Sequence, residues 1–346
     1  MLSFECDYNN GAHPRVLQRL IETNNETSLT YGFDRWSEAA REKIRLACQL
    51  PEADIYFLQG GTQANAVVID SLLRSYEGVV CAESGHINVH EAGAIEGCGH
   101  RVIALPADNG KLRNEDLEAY MQVYYNDESR EHVAQPGMVY ITFPTEMGTV
   151  YTEQEIETLY DTCQRHHLPL YIDGARMAYG LGFLSLPFLA SHCDAFYIGG
   201  TKCGALCGEA VVFTRHHVPT PRGIFSNIKR HGALSAKGRL AGVQFDALFS
   251  AGEDGKTLLY QEIGCHAIRM AMQVKKLLRK AGFPFFIDSP TNQQFVIIPN
   301  NIVQKLKPQV DFTLWGPYDS DHTLCRFVTS WATTEADVAQ LREILE

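Results

Sequence analysis

The sequence has no long hydrophobic run and no excess of positive charge. None of its apolar stretches approaches the length of a membrane span, and the start, from Met1 to Asp7, has neither the basic head nor the apolar core of a signal peptide. Acidic residues number 41 against 30 lysines and arginines, a formal net charge of -11, so a nucleic-acid groove would have to be local. We therefore expect a soluble, cytoplasmic protein with no membrane and no nucleic-acid partner.

Closely spaced cysteines are scarce in the sequence, and no internal repeat stands out. The 10 cysteines are scattered singly through a chain that is large enough to fold without disulfides, so we expect free thiols. Cys203 and Cys207 are the only close pair, and no second cysteine or histidine pair stands at zinc-like spacing. We therefore expect no metal site.

What the sequence does contain is an alternation of short apolar runs with amphipathic stretches. Such runs, ending in Gly, Asp or Ser, are typical of parallel strands joined by crossover helices. The pattern predicts an α/β fold with a mostly parallel seven-stranded sheet. The predicted strands are 55–58, 79–82, 101–105, 138–142, 168–172, 195–198 and 210–213, and the predicted helices are 35–50, 63–75, 114–125, 153–166 and 258–281. Thr152, with Glu155 three residues on, predicts a capped start for the fourth helix.

The pattern changes near residue 255. A long helix is followed by short strands at 295–298 and 326–329 and by a last helix from Thr334. We interpret residues 1–254 as a large α/β domain and residues 255–346 as a smaller α/β domain, with ligands expected at the carboxyl edge of the large sheet.

Asp173 and Lys202 are the most informative pair of residues. Asp173 ends one apolar run, and Lys202 lies just beyond the next, in Gly-Gly-Thr-Lys-Cys-Gly. An enzyme that holds pyridoxal phosphate needs such a pair, with the amine as the Schiff-base anchor and the acid at the pyridinium nitrogen. The pair predicts a pyridoxal-phosphate enzyme.

Two further segments fit a phosphate-bearing cofactor. Gly61 and Thr62 follow a predicted strand and begin a predicted helix, and a helix N-terminus with close backbone approach binds phosphate well. A capped glycine turn is the alternative for that segment. His86 follows the next predicted strand, so its ring is expected to reach the same edge, stack on the pyridine face and serve as a base. A loop histidine without a catalytic role is the alternative.

Arg176 shares one strand-to-turn segment with Asp173. Its guanidinium is expected to meet the phenolic oxygen of the cofactor or to bind a nearby carboxylate. A structural ion pair between Asp173 and Arg176 is the alternative.

Taken together, these residues resemble the low-specificity L-threonine aldolases, within the β-eliminating lyase group of fold type I pyridoxal-phosphate enzymes. The resemblance extends over nearly the whole chain. The segments that carry it are 4–11, 31–32, 60–65, 84–86, 173–176, 200–202 and 325–331.

The resemblance implies a role for each matching residue. Lys202 would be the Schiff-base lysine, His86 would stack on the cofactor, Gly61 and Thr62 would bind its phosphate, and Asp173 would bind its ring nitrogen. Arg176 and Arg326 would clamp the substrate carboxylate.

The resemblance also implies an oligomer. Tyr31, and Lys229 or Lys237, look like residues that reach into the cofactor site of a neighbouring subunit in this family. We therefore expect a homodimer or a homotetramer with shared active sites. The alternative for the basic pair is a solvated helix start.

Two positions depart from the family pattern. Cys6 stands where the family usually has a small hydroxyl residue that binds the substrate carboxylate, and a thiol is a poor donor. Glu146 stands where some members carry a histidine proposed to hold the β-hydroxyl. The implied reaction is the cleavage of L-threonine or L-allo-threonine to glycine and acetaldehyde, with His86 preferred to Glu146 as the base. The alternatives are another lyase or aminotransferase reaction on the same cofactor and a non-catalytic protein that binds it.

Overall fold

The computed structural model describes residues 2–346, which form two main sheets and the helices that pack on them. The strands are β1 (Leu2–Ser3), β2 (Asp54–Leu58), β3 (Glu77–Ala82), β4 (Arg101–Leu105), β5 (Ala107–Asp108), β6 (Lys111–Leu112), β7 (Gln135–Thr142), β8 (Leu170–Asp173), β9 (Ala195–Gly199), β10 (Glu209–Phe213), β11 (Phe285–Ile287), β12 (Gln293–Pro299), β13 (Val310–Asp311), β14 (Thr313–Pro317) and β15 (His322–Val328). The α-helices are α1 (Pro14–Thr23), α2 (Arg35–Cys48), α3 (Gly61–Leu72), α4 (His86–Val89), α5 (Ala94–Gly97), α6 (Asn114–Asn126), α7 (Glu153–Arg165), α8 (Leu186–Ser191), α9 (Ile224–Arg230), α10 (Arg239–Leu248), α11 (Leu259–Lys280), α12 (Asn300–Leu306) and α13 (Glu335–Leu345).

The larger sheet has the order β2-β10-β9-β8-β7-β3-β4. The strands run parallel except β10, which is antiparallel to both of its neighbours. The predicted mostly parallel seven-stranded sheet is therefore confirmed. Both faces of this sheet are covered, which explains why its strands read as near-continuous apolar runs.

Side chains alternate between the two faces of the larger sheet. Ile141, Ile172 and Ile198 join one buried cluster, whereas Tyr140 and Tyr171 join the cluster on the other face. The period of two along a strand produces this separation. It also brings buried phenol groups to the side of the sheet on which α3 packs.

The smaller sheet has the order β11-β12-β15-β14 and is antiparallel. Helix α11 joins it to the larger sheet, because Tyr260 and Ile263 pack in the core of the larger sheet while Val274 and Leu278 pack in that of the smaller one. Strand β1 pairs with β13, so the beginning of the chain lies against its C-terminal part. The division into residues 1–254 and 255–346 stays a proposal.

The predicted cap of α7 is present. The Glu155 amide donates to Thr152 Oγ1 at 3.2 Å, and the Thr152 amide donates to Glu155 Oε2 at 2.7 Å. None of the described helices is both long and apolar enough to cross a membrane. All ten cysteines fall in the described part of the chain, and each is a free thiol.

Candidate active site

A cavity of about 270 Å³ lies at the carboxyl edge of the larger sheet. The loops after β2, β3, β7, β8 and β9 meet there, as is usual for ligand sites in open α/β folds. The structure brings seven of the residues predicted from the sequence to the wall of this cavity. They are Gly61, Thr62, His86, Glu146, Asp173, Arg176 and Lys202.

Lys202 follows β9 and is held from two sides. Its carbonyl oxygen accepts a hydrogen bond from the Tyr179 hydroxyl at 2.5 Å, and the preceding Gly200 and Thr201 donate to the carboxylate of Glu209 at 3.1 and 2.7 Å. Burial and the positive charge of Arg176 lower the pKa of Lys202. A lowered pKa increases the fraction of neutral amine, which is the nucleophilic form.

Asp173 ends β8 and is almost fully buried. Its Oδ2 accepts hydrogen bonds from Asn65 Nδ2 at 2.9 Å and from the Tyr140 hydroxyl at 2.7 Å. Its Oδ1 accepts from the Ala175 amide at 3.0 Å. Each carboxylate oxygen offers about two acceptor positions, so one position on Oδ1 remains for a further donor.

Gly61 and Thr62 begin α3 directly after β2. Among the described residues no side chain caps this helix, so its first amides are available to an anion. A methyl group on Gly61 would come within 2.9 Å of the Tyr197 hydroxyl oxygen. Glycine therefore keeps the approach to the helix N-terminus open.

His86 begins α4 and contacts two carboxylates. Its Nδ1 lies 2.8 Å from Glu91 Oε1, and its backbone amide donates to Glu146 Oε1 at 2.9 Å. Burial opposes a charge on the ring, but the hydrogen bond to Glu91 and the charge of Asp173 outweigh it and raise the pKa of His86. The Nδ1 contact leaves Nε2 as the ring atom that can exchange a proton with a ligand.

Glu146 is buried in the same wall. Its Oε1 accepts from the Thr142 hydroxyl at 2.6 Å as well as from His86, whereas its Oε2 has no hydrogen-bond partner among residues 2–346. Burial is the main reason that the pKa of Glu146 is raised. A raised pKa favours the protonated carboxyl group, which can donate a proton to a ligand.

Arg176 pairs with Asp7 rather than with Asp173. Its Nε and Nη2 donate to Asp7 Oδ2 and Oδ1 at 2.8 and 2.9 Å, and Asn292 donates to the same carboxylate at 2.9 Å. Burial acts against both charges, yet the pairing lowers the pKa of Asp7 and raises that of Arg176. The guanidinium is therefore neutralised and held in place, with Nη1 facing no carboxylate in the described pairs.

Arg326, on β15, has no such partner. Its Nη1 donates to Gln293 at 3.1 Å and its Nη2 to Thr313 at 3.3 Å, and its guanidinium lies 4.8 Å from the Trp315 ring centroid. No carboxylate of the described chain pairs with it, and its buried Nε has no partner there. Burial and the charge of Arg176 lower the pKa of Arg326 to about 10. A buried guanidinium without a carboxylate partner favours the binding of an anionic ligand.

Like Arg326, the other predicted site residues lie outside the wall of this cavity. Cys6 is partly buried and close enough to Arg326 for the arginine to lower its thiol pKa, although burial raises that pKa overall. Tyr31 lies on a separate surface, where Lys229 Nζ is 5.5 Å from its ring centroid. Lys237 is in the loop before α10. None of these residues is brought to the Lys202 side chain within one chain.

Sequence reasoning missed four residues that hold the site together. They are Asp7, Asn65, Glu91 and Tyr140, which contact Arg176, Asp173 or His86 directly. The position of Asn65 near the start of α3, four residues after Gly61, was an available signal. Asp7 and Tyr140 carry no local pattern, because their partners Arg176 and Asp173 lie 169 and 33 positions away. Glu91 lies only five positions from His86, but its spacing matches no motif considered in the sequence.

Comparison with known proteins gives consistent matches. The profile of the beta-eliminating lyase family matches residues 10–331. A low specificity L-threonine aldolase of Pseudomonas sp. (strain NCIMB 10558) is 27% identical over 98% of this chain and 95% of its own. A solved Leishmania major threonine aldolase is 36% identical, with a TM-score of 0.93, over 100% of this chain and 98% of its own. A putative L-allo-threonine aldolase of Listeria monocytogenes, 18% identical with a TM-score of 0.74 over 100% of this chain and 95% of its own, shares the fold.

Proposed function

The chain belongs to the beta-eliminating lyase family and is an enzyme of the lyase class, and from this premise we propose that it cleaves β-hydroxy-α-amino acids with pyridoxal phosphate as its cofactor. L-Threonine and L-allo-threonine are the proposed substrates, and glycine and acetaldehyde the products. The observation that carries the proposal is the meeting of Lys202, Asp173 and the uncapped start of α3 in one cavity.

The residues present fit this cofactor. The first amides of α3, with Gly61 and Thr62, suit its phosphate, and the free acceptor position on Asp173 Oδ1 suits its protonated ring nitrogen. Lys202 supplies the amine that anchors its aldehyde, and His86 supplies an aromatic face. When bound, pyridoxal phosphate supplies an electron sink for the bond that is broken.

The two arginines have different proposed tasks. Arg326 binds the substrate carboxylate, because it is a buried cation without a carboxylate partner in the described chain. Arg176, already neutralised by Asp7, borders the clamp and contributes its remaining N–H groups. A fixed carboxylate sets the rotation of the amino acid, and this rotation decides which bond at Cα is broken.

Proton transfer at the β-hydroxyl falls to His86 or Glu146. His86 Nε2 and Glu146 Oε2 are the atoms without a partner in the described structure, and both groups have a raised pKa. We keep His86 as the proposed base and Glu146 as the alternative. Either group must first lose its own proton, so turnover is expected to rise with pH across the titration of the pair.

A second copy of the chain is proposed to cover the surface around Tyr31. Phe33 and Phe225 are 63% and 39% exposed there, with ring centroids 5.6 Å apart, and Lys229 Nζ is 5.5 Å from the ring centroid of Tyr31. Exposed aromatic patches of this kind mark interfaces. The proposal is a homodimer or homotetramer in which Tyr31 and Lys229 or Lys237 complete the neighbouring site. A cytoplasmic location is likewise proposed.

The experiment is an assay of the purified protein with added cofactor. Incubation with L-allo-threonine or L-threonine, coupled to an NADH-dependent aldehyde reductase, is expected to show acetaldehyde and an equal amount of glycine. 2-Oxobutanoate with ammonia would instead support β-elimination of the β-hydroxyl. 2-Oxo-3-hydroxybutanoate, formed when the substrate gives up its amino group, would support transamination.

Lys202→Ala is expected to abolish turnover, because no other side chain offers an amine in the described cavity. After borohydride reduction, peptide mapping by mass spectrometry is expected to find the cofactor on Lys202 in the wild type. Lys276→Ala, which removes an exposed lysine on α11 outside this cavity, is the matched control for the site of attachment. A cofactor adduct at another lysine would contradict the proposal.

A further inference from the structure

Asn65 and Glu91 connect two of the proposed catalytic side chains. Asn65 Nδ2 donates to Asp173 Oδ2 at 2.9 Å and to Glu91 Oε1 at 2.7 Å, and Glu91 Oε1 lies 2.8 Å from His86 Nδ1. All three distances are those of direct hydrogen bonds. The side chains of Asn65 and Glu91 are both 0% exposed, so bulk water does not compete for the two bonds of Asn65, whereas the His86 side chain is 31% exposed.

The neighbours of Asn65 decide how its amide is oriented. An amide nitrogen carries two hydrogens and the amide oxygen carries none. Two carboxylates lie on one side of the amide, while the Tyr171 hydroxyl lies 2.9 Å from Oδ1 on the other. Turning the amide round would place its oxygen against two acids. Asn65 therefore donates one N–H to the carboxylate of Asp173 and the other to that of Glu91.

Glu91 is equally specific in its contacts. Its Oε1 is shared between Asn65 and His86, and its Oε2 has no partner in the described part of the chain. Neither Glu91 nor Asn65 is among the residues that form the cavity wall. Both must therefore act on the reaction through His86 and Asp173.

We propose that Asn65 and Glu91 are positioning residues that couple the proton on His86 to the carboxylate of Asp173. This inference rests on the proposed function, which makes His86 and Asp173 catalytic. Glu91 holds the ring hydrogen of His86 on Nδ1 and so presents Nε2 to the cavity. Asn65 divides its two donors between the acids, so that a change of charge at one acid alters the hydrogen bond to the other.

The groups around His86 set the direction of the expected effects. Glu91 and Asp173 favour the charged ring, Lys202 opposes it, the backbone amide of His86 is bonded to Glu146, and the neighbouring His90 titrates beside it. Since Glu91 accepts from only two donors, loss of Asn65 leaves His86 as its single partner. The bond between them should then strengthen.

The test is the ring titration of His86, followed by NMR of the full-length protein with carbon-13-labelled histidine, with and without pyridoxal phosphate. His86→Asn assigns the signal. Glu91→Gln, which keeps the volume and removes the charge, is expected to lower the pKa of His86. Asn65→Ala is expected to raise it further. Tyr171→Phe is the matched control, because it removes a buried hydrogen bond from Asn65 but leaves both carboxylate contacts, and it is expected to leave the titration unchanged.

The opposite signs separate coupling from loosened packing. A cavity that merely admitted water would bring the pKa of His86 back towards the ordinary 6.5 in both variants. An unchanged or lowered pKa in Asn65→Ala therefore overturns the coupling. If that variant does not fold, a pKa that fails to fall in Glu91→Gln overturns the proposal by itself.

Turnover distinguishes this inference from the proposed function. Loss of a hydrogen bond to a charged group predicts a fall in kcat of about 10- to 100-fold for Asn65→Ala. Threonine cleavage with an unaltered His86 titration in both variants would refute the coupling through Asn65 and Glu91, but not the proposed function. If the pKa of His86 shifted as expected in both variants but the protein cleaved no β-hydroxy amino acid, the proposed function would be refuted and the coupling through Asn65 and Glu91 would be supported.

Discussion

Two groups of side chains in the proposed site differ in how completely their polar atoms are paired: Asp173 with its donors, which we call the paired side, and Glu146 with Arg326, which we call the unpaired side. On the side of Asp173, three donors occupy the carboxylate, and the donor Asn65 is itself satisfied by Tyr171. On the unpaired side, Glu146 Oε2 and Arg326 Nε are buried and have no partner within the described residues. Buried polar groups are normally paired. We infer that the first side is preorganised for the cofactor and that the second is completed only by the substrate.

Asp173→Asn should break the paired side most severely. The new amide would present its N–H hydrogens either to Asn65 and Tyr140 or to the Ala175 amide, all of which are donors, and it would remove the charge proposed to face the ring nitrogen. We expect kcat to fall by about 100- to 1000-fold, the usual effect of losing one preorganised electrostatic group. Steady-state kinetics at saturating cofactor provides the measurement.

Tyr140→Phe is the control for this change, because it removes one donor and leaves Asp173 with two. A loss of about 10-fold in kcat is expected, corresponding to one hydrogen bond to a charged group of roughly 1.5 kcal/mol, the low end of the usual range. Equal losses in the two variants would show that packing, and not the charge of Asp173, controls the rate.

Arg326 and Arg176 allow the same comparison between two cations. Arg326→Lys should lower kcat/KM by about 10- to 100-fold, because a lysine cannot reproduce a planar, bidentate grip on a carboxylate.

Arg176→Ala should act mainly on stability, since it leaves Asp7 buried without its charge partner, and the free energy of unfolding should fall by about 3–5 kcal/mol. Urea unfolding and substrate saturation curves measure the two effects.

The opposite result for the two arginine variants would contradict these expectations. If Arg176→Ala kept its stability and lost substrate affinity as strongly as Arg326→Lys, the neutralised arginine would be the clamp, and the contrast between the two cations would be wrong.

The sequence predicted the larger sheet and the strand-end residues because both have local causes. Buried parallel strands require apolar runs, and the polar residue that ends each run, such as Asp173, falls at the sheet edge whatever the rest of the chain does. Lys202 and His86 follow for the same reason. The capped start of α7 at Thr152 is also a local feature, and it was predicted from four residues.

The partners within the site could not be predicted in this way. Asp7 and Arg176 are 169 positions apart, and Asn65 and Asp173 are 108 apart, so no short pattern links them. The sequence therefore offered an ion pair between Asp173 and its neighbour Arg176, whereas the fold brings a distant acid to the arginine. Strands β1 and β13, each of two residues, were missed because pairing over so short a length leaves no periodic signal.

Glu146→Gln tests the unpaired side through the pH dependence of protein stability. Because the pKa of Glu146 is raised in the folded state, its protonated form is favoured there, and the stability that it contributes is present below its ordinary pKa of 4.5 and is lost as pH rises through the raised value. The Gln variant cannot titrate. Its melting temperature relative to the wild type should therefore increase as the pH is raised above 4.5. Thermal melts at a series of pH values measure this difference, and a constant difference would mean that Glu146 carries its charge at all of them.

Cys6→Ser is expected to have the smallest effect. Cys6 lies close enough to Arg326 to sense its charge, but its thiol is a weak donor, so it adds little to the binding of a carboxylate. A serine hydroxyl of nearly the same size should gain up to one ordinary hydrogen bond and lower the KM for threonine by at most about fivefold. Cys265→Ser, at an exposed thiol, is the control. A fall in kcat/KM in Cys6→Ser would mean that the thiol packs beside Arg326 and does not contact the substrate. The unpaired side would then not be completed by the substrate at this position.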